Sequence, residues 1–272
     1  DEHVAVTPSP EAGYRLRARL HVRGNVAGFY REGTHELCDA RRTNQASPAA
    51  MDALLSGLNK DDGSLRYKII LALEEIARRL PNLRVDRQVI EKAIVAEARR
   101  YYRRFLICFA LFGDGNDRSV NHDELLHQAL VENMEREKER VLRLLSLIYP
   151  PEDIGSATAA MRSGSPAKQA QAIEFLDNLL TGDVKRHVFP LFDDAPATER
   201  FERLLALLGL RSFDGETALE ELLKQDDVWL KAATLWEIGL RGLRDFREEL
   251  QHYLNSPEPV LKETAALVMS RI

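Results

Sequence analysis

The spacing of the apolar residues changes along this chain, and that change limits what it can fold into. From Arg15 to Arg23, polar and apolar residues alternate, which predicts a β-strand. From Ser64 to Ile272, apolar residues recur every three to four positions, and short linkers rich in Asp, Gly, Ser and Pro interrupt them. This second spacing is that of amphipathic helices. The sequence therefore predicts a mainly α protein with a short N-terminal β segment.

The β segment is predicted to be a three-stranded antiparallel meander between Tyr14 and Ala40. Gly24-Asn25 supplies a tight turn, because both residues tolerate a positive φ, and Gly33-Thr34 supplies the second turn. Three strands alone are marginally stable, so this sheet should pack against another element. Whether it packs on the helices stays open at this point.

The rest of the sequence predicts a series of helices with short connections. They are Ala49–Leu58, one capped by Ser64 and stopped by Pro81, one from Asp86 to Gly113, one from Asn121 to Pro150-Pro151, one from Ser165-Pro166 to Thr181-Gly182, and then Ala197–Leu208, Glu216–Lys224, Val228–Leu240, Leu243–Leu254 and Pro259–Ser270. Helices of about three turns with short linkers pack as antiparallel pairs, and pairs in series form a solenoid. The predicted organisation is a β-meander segment (1–45), a linker with a short helix (46–63) and a helical repeat domain (64–272).

Two late segments, Asp226–Trp236 and Ser256–Leu267, share an acidic turn followed by an apolar helix. With Ala172–Leu180, they make residues 64–272 resemble HEAT-repeat proteins. Together with Arg66–Ile70 and Leu147–Ile154, they look like the soluble HEAT region attached to bacterial relatives of nucleotide transporters. The resemblance implies a HEAT-like α solenoid with a scaffold or regulatory role. Transport chemistry would lie in membrane helices, which this sequence lacks.

The N-terminal segment resembles a different family. Gly13–Val22 and Gly28–Ala40 are similar to the small sheet of RNA uracil-C5 methyltransferases, which use S-adenosylmethionine. Members of that family that bind an iron–sulfur cluster usually have a cysteine ligand shortly after the aspartate of this motif. No cysteine follows Asp39 in the corresponding stretch of this sequence. No glycine-rich cofactor loop follows, and Cys108 lies in an apolar helix rather than at a catalytic position. The resemblance therefore implies an RNA-contacting sheet without its catalytic domain.

The alternating arginines of the first strand are candidate RNA contacts. Arg15, Arg17 and Arg19 project from one face, where they would meet phosphates. The alternative, which we favour, is a solvated face that balances the acidic residues of the meander. The net charge of −5 also argues mildly against a general nucleic-acid binder.

A second basic cluster consists of Arg99, Arg100, Arg103 and Arg104. It would bind an anionic partner or, as we favour, pair with an acidic run on the next helix. That run consists of Glu132, Glu135, Glu137 and Glu139. Arginine rows of this kind are usually solvated or paired faces.

Two further sets of residues are interpreted structurally. In the group His122, Asp123 and His127, only the last two have the four-residue spacing of a metal pair, so we expect no metal site. Trp229 and Trp236 lie seven positions apart on one predicted helix, and we expect them to be buried between adjacent repeats.

The sequence thus predicts a non-catalytic HEAT-like module in the cytoplasm, which binds a protein partner and needs no cofactor. The two cysteines fit reduced thiols there, and no apolar run is long enough to insert in a membrane. The alternative is a fragment or remnant of an S-adenosylmethionine-dependent RNA uracil-C5 methyltransferase fused to a helical domain. The oligomeric state stays open.

Overall fold

Helices dominate the described part of the molecule. The computed structural model describes residues 21–23, 26–30, 37–39, 48–79, 85–113, 125–225 and 227–272. These ranges hold twelve α-helices and three short strands, which confirms the mainly helical fold class. They divide into two compact units, one with the described residues up to Ala93 and Ser146–Pro150, the other with those of Ile94–Leu145 and Pro151–Ile272. The predicted domain boundaries at residues 45 and 63 stay predictions.

The strands of the first unit pair in an antiparallel order. They are β1 (His21–Arg23), β2 (Val26–Tyr30) and β3 (Leu37–Asp39). β2 lies between the other two, with Gly28 opposite both His21 and Asp39. The start of the predicted first strand, which holds Arg15, Arg17 and Arg19, lies outside the described residues, as do both predicted turns. The complete meander therefore stays a prediction.

Two helices follow the strands in the first unit, α1 (Pro48–Gly57) and α2 (Gly63–Arg79). The two pack against each other. α2 buries Ile69, Ile70 and Leu73, which belong to an apolar stripe that the sequence predicts on this helix together with Ile76, Ala77 and Leu80. The helical spacing of these residues was therefore a correct guide to the buried face.

The cap of α2 differs from the predicted one. Asp62 Oδ1 accepts hydrogen bonds from the backbone N–H groups of Ser64 at 2.8 Å and of Leu65 at 3.0 Å. The prediction that Ser64 caps this helix is wrong, because α2 already begins at Gly63. The carboxylate of Asp62 instead satisfies the first free amides, which is the usual role of an N-cap side chain.

A buried arginine fixes the turn before α2. Arg66 is 2% exposed, and its Nη1 donates to the carbonyl oxygens of Lys60 and Asp61, each at 2.7 Å. A buried cation is tolerated only where acceptors replace its water shell. The polar break that the sequence shows before Gly63 is thus tied to the helix by a side chain of the helix itself.

The stability of α2 should depend on pH through Glu75. Hydrogen bonds from Arg78 and Arg79 lower the pKa of its carboxyl from 4.5 to about 2. A carboxyl whose pKa is depressed in the folded state stabilises that state above its unfolded pKa, and this contribution is lost as the pH falls through the folded pKa. We expect Glu75→Gln to lower the Tm by up to about 2 °C at pH 7. Thermal melts should show that the difference in Tm between the wild-type chain and Glu75→Gln disappears as the pH falls from 4.5 to about 2. A Tm difference of the same size at the lowest pH would contradict the prediction.

The described residues of the second unit form ten helices. They are α3 (Arg87–Phe112), whose first two turns belong to the first unit, α4 (Leu125–Leu145), α5 (Pro151–Met161), α6 (Pro166–Leu179), α7 (Gly182–Val188), α8 (Ala197–Leu208), α9 (Gly215–Leu223), α10 (Val228–Arg241), α11 (Arg247–Tyr253) and α12 (Pro259–Met269). One side of α10 is buried, because the helix packs against α4, α9 and α12. Its side chains Leu230, Leu235 and Ile238 are fully buried. This helix positions the surface described below.

Several predicted helix starts are confirmed. Asp86 caps α3 by accepting from the backbone N–H of Gln88 at 2.9 Å, and α6 begins at Pro166 as predicted. Asp227 caps α10 by accepting from the N–H of Leu230 at 2.9 Å. Acidic side chains at these positions bond the free amides and complement the helix dipole. Asn121, the predicted start of α4, lies outside the described residues.

Two helices were missed by the sequence prediction. Pro150-Pro151 was interpreted only as a helix end, but Pro151 is also the first residue of α5. Proline is favoured there, because it lacks a backbone N–H and a donor at the first helical position would find no acceptor within the helix in any case. α7 was missed because it has only seven residues and continues into a short 3₁₀ turn, Phe189–Leu191. Among the described residues, none of the helices is long and apolar enough to cross a membrane.

Candidate interaction surface

The arginine cluster of α3 is largely used inside the second unit. Arg104 Nε lies 2.6 Å from Glu137 Oε1 on α4, and Arg103 Nε lies 2.5 Å from Glu221 Oε1 on α9. Arg100 Nη1 lies 3.4 Å from Glu97 Oε1 within α3. The predicted pairing across helices is therefore confirmed for Arg104. Arg103 and Arg104 thus join α3 to other helices, and Arg100 is paired within α3, so these three cations do not form an open anion-binding patch.

Arg140 on α4 completes a buried ionic network. Its Nε donates to Glu97 Oε2 at 2.8 Å, and its Nη2 lies 3.9 Å from Glu137 Oε1. Glu137 is fully buried, and its Oε2 has no hydrogen-bond partner. Burial raises the pKa of Glu137, in opposition to Arg104 and Arg140, which lower it. Two carboxylates and two arginines thus hold α3 against α4.

The other members of the acidic run pair within their own helix. Glu132 bonds Arg136, Glu135 bonds Lys138, and Glu139 bonds Arg143, all within α4. The expectation that this whole run faces the arginines of α3 is wrong for these three residues. Only Glu137 lies on the face of α4 that is buried against its neighbours, because residues spaced by one or two positions point in different directions on a helix.

The two tyrosines beside the arginines are part of the core. Tyr102 is fully buried, and its hydroxyl donates to the carbonyl of His187. Tyr101 is 4% exposed, and its hydroxyl accepts from Arg200 on α8 at 3.2 Å. Rings that are buried in this way offer no platform on which a nucleic-acid base could stack.

The tryptophan prediction is wrong for Trp229. Its side chain is 57% exposed, whereas its neighbour Leu230 is fully buried. Leu230 and Ala233 take the inner face of α10, so the preceding residue is directed outward. Trp236 is half-buried, and the guanidinium of Arg271 lies over its ring at 4.5 Å from the centroid.

The outer faces of α10 and α12 form one apolar surface. Trp229, Trp236 and Leu240 are spaced by seven and four positions, so they share one face of α10. The same spacing joins Val260, Leu267 and Arg271 on α12 and just after it. The Trp236–Arg271 contact places the two faces side by side. We call these six residues the α10–α12 face.

Close backbone packing supports this surface from beneath. A Cβ atom built on Gly239 would meet Val268 Cγ2 at 2.8 Å and Val268 Cγ1 at 3.0 Å. The absence of a side chain at Gly239 therefore permits the approach of α10 and α12. Four members of the α10–α12 face remain well exposed: Leu240 at 50%, Leu267 at 45%, Val260 at 37% and Trp229 at 57%.

The remaining candidate residues that the structure describes do not come together in a chemical site. Cys108 is half-buried in α3, and burial raises its pKa to about 11, so the thiol is protonated at neutral pH. His127 packs edge-on against Phe112 at 5.1 Å, while its candidate metal partners His122 and Asp123 lie outside the described residues. In the part of the chain that the structure describes, no group of three metal-ligating side chains comes together.

Comparison with other proteins adds no identity. No protein family model matches this chain, and no curated protein or solved structure matches it. The likeness to HEAT-repeat proteins and to RNA uracil-C5 methyltransferases therefore stays a prediction from the sequence.

Proposed function

We propose that this chain is a non-catalytic HEAT-like module, a scaffold or regulatory unit, that binds a protein partner through the α10–α12 face. The exposed Trp229 carries the proposal. A tryptophan left more than half in water, next to exposed Leu and Val side chains, costs free energy that a partner would recover by covering it. Tryptophan is also the residue type most enriched among those that dominate binding energy at protein interfaces.

A helical repeat supports the solenoid part of the proposal. The segments that begin at Asp227 and Glu258 correspond at a fixed offset, which aligns Trp229 with Val260 and Leu230 with Leu261. The first pair is exposed and the second is buried. Equivalent positions with equivalent burial are expected when repeats stack in series. We also propose that an N-terminal β-meander precedes the helices and that the protein is located in the cytoplasm. Both parts of the proposal rest on the sequence patterns alone.

Site-specific crosslinking tests the proposed surface. A photoreactive phenylalanine analogue placed at position 229 should capture a protein partner in extracts of the cells that produce this chain. The matched control places the analogue at position 175, since Phe175 on α6 is a comparably exposed aromatic residue at 40%. We expect a crosslinked partner from position 229 that excess unlabelled chain competes away, and none from position 175. Equal capture from both positions would contradict the proposed surface.

The alternative function is a methyltransferase remnant, which rests on the motif in residues 13–45. Binding of S-adenosylmethionine by the purified chain, or methylation of uracil in RNA, would favour this alternative over the binding module. We expect neither activity. RNA binding alone, tested at low salt because phosphate contacts weaken steeply with salt, would support only the RNA contact by Arg15, Arg17 and Arg19.

A further inference from the structure

Arg200 differs from the partly buried arginines around it. Its counterparts on α3 and α4 each meet a carboxylate. Arg200, near the start of α8, meets none among the described residues. Its Nη2 donates to the Tyr101 hydroxyl at 3.2 Å, and its guanidinium lies over the Phe105 ring at 4.4 Å from the centroid. The positive charge of Arg200 is thus held in place by neutral rings only.

One nitrogen of this guanidinium is buried without an acceptor. Arg200 Nε has no hydrogen-bond partner, although it is shielded from solvent. A buried N–H without an acceptor costs free energy, which an acceptor supplied by a ligand would recover. The carboxylates near the start of α8 do not compensate it, because Asp193 and Glu199 both face Arg203, at 2.9 Å and 3.9 Å.

Tyr101 brings two further hydrogen-bond donors to this region, its own hydroxyl and Lys138, which contacts its ring. The Tyr101 hydroxyl accepts from Arg200, and within the described ranges its own hydrogen meets no acceptor, so it remains available to donate. Lys138 Nζ lies 5.3 Å from the centroid of the Tyr101 ring. Its side chain is 25% exposed and also bonds Glu135 at 2.9 Å. Arg200 thus contacts the hydroxyl of Tyr101, Lys138 contacts the ring of the same residue, and Lys138 is also paired with Glu135.

We propose that Arg200, Tyr101 and Lys138 form a binding site for a single oxyanion group, a phosphate or a carboxylate. A guanidinium presents paired N–H donors that match the oxygen atoms of either group, and the hydroxyl adds a third donor. Arg200 keeps part of its surface in solvent. The site lies on α3, α4 and α8, so it is independent of the α10–α12 face.

Calorimetric titration of the full chain tests the proposal. The probes are inorganic phosphate and acetate, each added at low and constant ionic strength, since screening weakens partly exposed charges. We expect saturable binding of one probe with a Kd on the order of 1 mM. Arg200→Gln should weaken it at least about tenfold, and Lys138→Gln should weaken it less. Arg203→Gln is the matched control, because Arg203 lies one turn along α8 and already has two carboxylates.

The outcomes separate clearly. Preferential binding of phosphate or of acetate identifies which oxyanion the site takes, and either result supports the proposal if Arg203→Gln binds like the wild-type chain. Loss of binding in Arg203→Gln to the same extent as in Arg200→Gln would overturn it, and so would the absence of saturable binding to the wild type. If Arg200→Gln fails to fold, Arg200→Lys replaces it, and unchanged affinity in that variant would overturn the specific role of the guanidinium.

Discussion

Replacing Arg140 by methionine should destabilise the second unit by about 3–5 kcal/mol. Arg140 is 5% exposed and lies between Glu97 and Glu137, which are 2% and 0% exposed. Removal of the cation leaves both carboxylates in a dry environment, where the Arg104 and Arg100 contacts compensate them only in part. Most of the expected loss comes from these stranded charges and little from the lost attraction itself.

Denaturant unfolding of single and double variants measures this effect. Arg140→Met combined with Glu97→Met should recover much of the loss, because two apolar side chains replace a buried ion pair at little cost. Arg143→Met is the control, since Arg143 pairs with Glu139 on the same helix and both are about a third exposed. We expect the control to change the free energy of unfolding by less than about 1 kcal/mol. If Arg140→Met lowers the free energy of unfolding as little as the control does, the ion pairs of Arg140 with Glu97 and Glu137 do not form in solution.

The second large effect concerns the packing of α10 on α12. Gly239→Ala should destabilise the chain by about 1–3 kcal/mol. In an open helix the same change is stabilising by about 1 kcal/mol, because alanine restricts the unfolded chain and favours the helix. Here the new Cβ would lie 2.8 Å from Val268 Cγ2 and 3.3 Å from Val268 Cβ. Valine has one strongly preferred χ1 rotamer in a helix, so Val268 can relieve the contact only through a less favourable rotamer or a backbone shift.

Two further variants show whether the loss of stability in Gly239→Ala comes from its contact with Val268. Gly155→Ala on α5 meets no atom within 4 Å, so it should stabilise the chain by about 0.5–1 kcal/mol in the same unfolding experiment. Val268→Ala should partly rescue Gly239→Ala, since it removes the two methyl groups that the new Cβ meets. If Gly239→Ala and Gly155→Ala are equally stabilising, α10 and α12 do not approach each other as closely as the structure shows.

Sequence spacing predicted most of the helices because it reports which side of a helix is buried. The apolar stripe of α2 and the cap residues Asp86 and Asp227 act locally, within one or two turns, so their consequences are visible in the sequence. α5 was missed because Pro151 both follows one helix and starts the next. Proline fixes only its own φ, and the chain on either side decides which of the two roles applies.

The candidate surface was predicted less well, since it depends on contacts between distant helices. Trp229 and Trp236 have the spacing of a buried stripe, and only the packing of α10 against α4, α9 and α12 determines which face is covered. The aligned Val260 offered a partial signal, because it precedes a buried leucine just as Trp229 does. The sequence predicted that the arginines of α3 pair with the acidic run of the next helix, and Arg104 does meet Glu137. It could not show that the other acidic residues of that run bond within α4 instead.

The affinity of the purified partner for wild-type chain and for Trp229→Ser tests the proposed function most directly. The partner is the protein that crosslinks from position 229, and Phe175→Ser serves as the control variant. We expect Trp229→Ser to raise the Kd at least about tenfold, which corresponds to about 1.4 kcal/mol, while its Tm and the Kd of the control stay at the wild-type values. Equal Kd values for all three proteins would contradict a partner-binding role of the α10–α12 face.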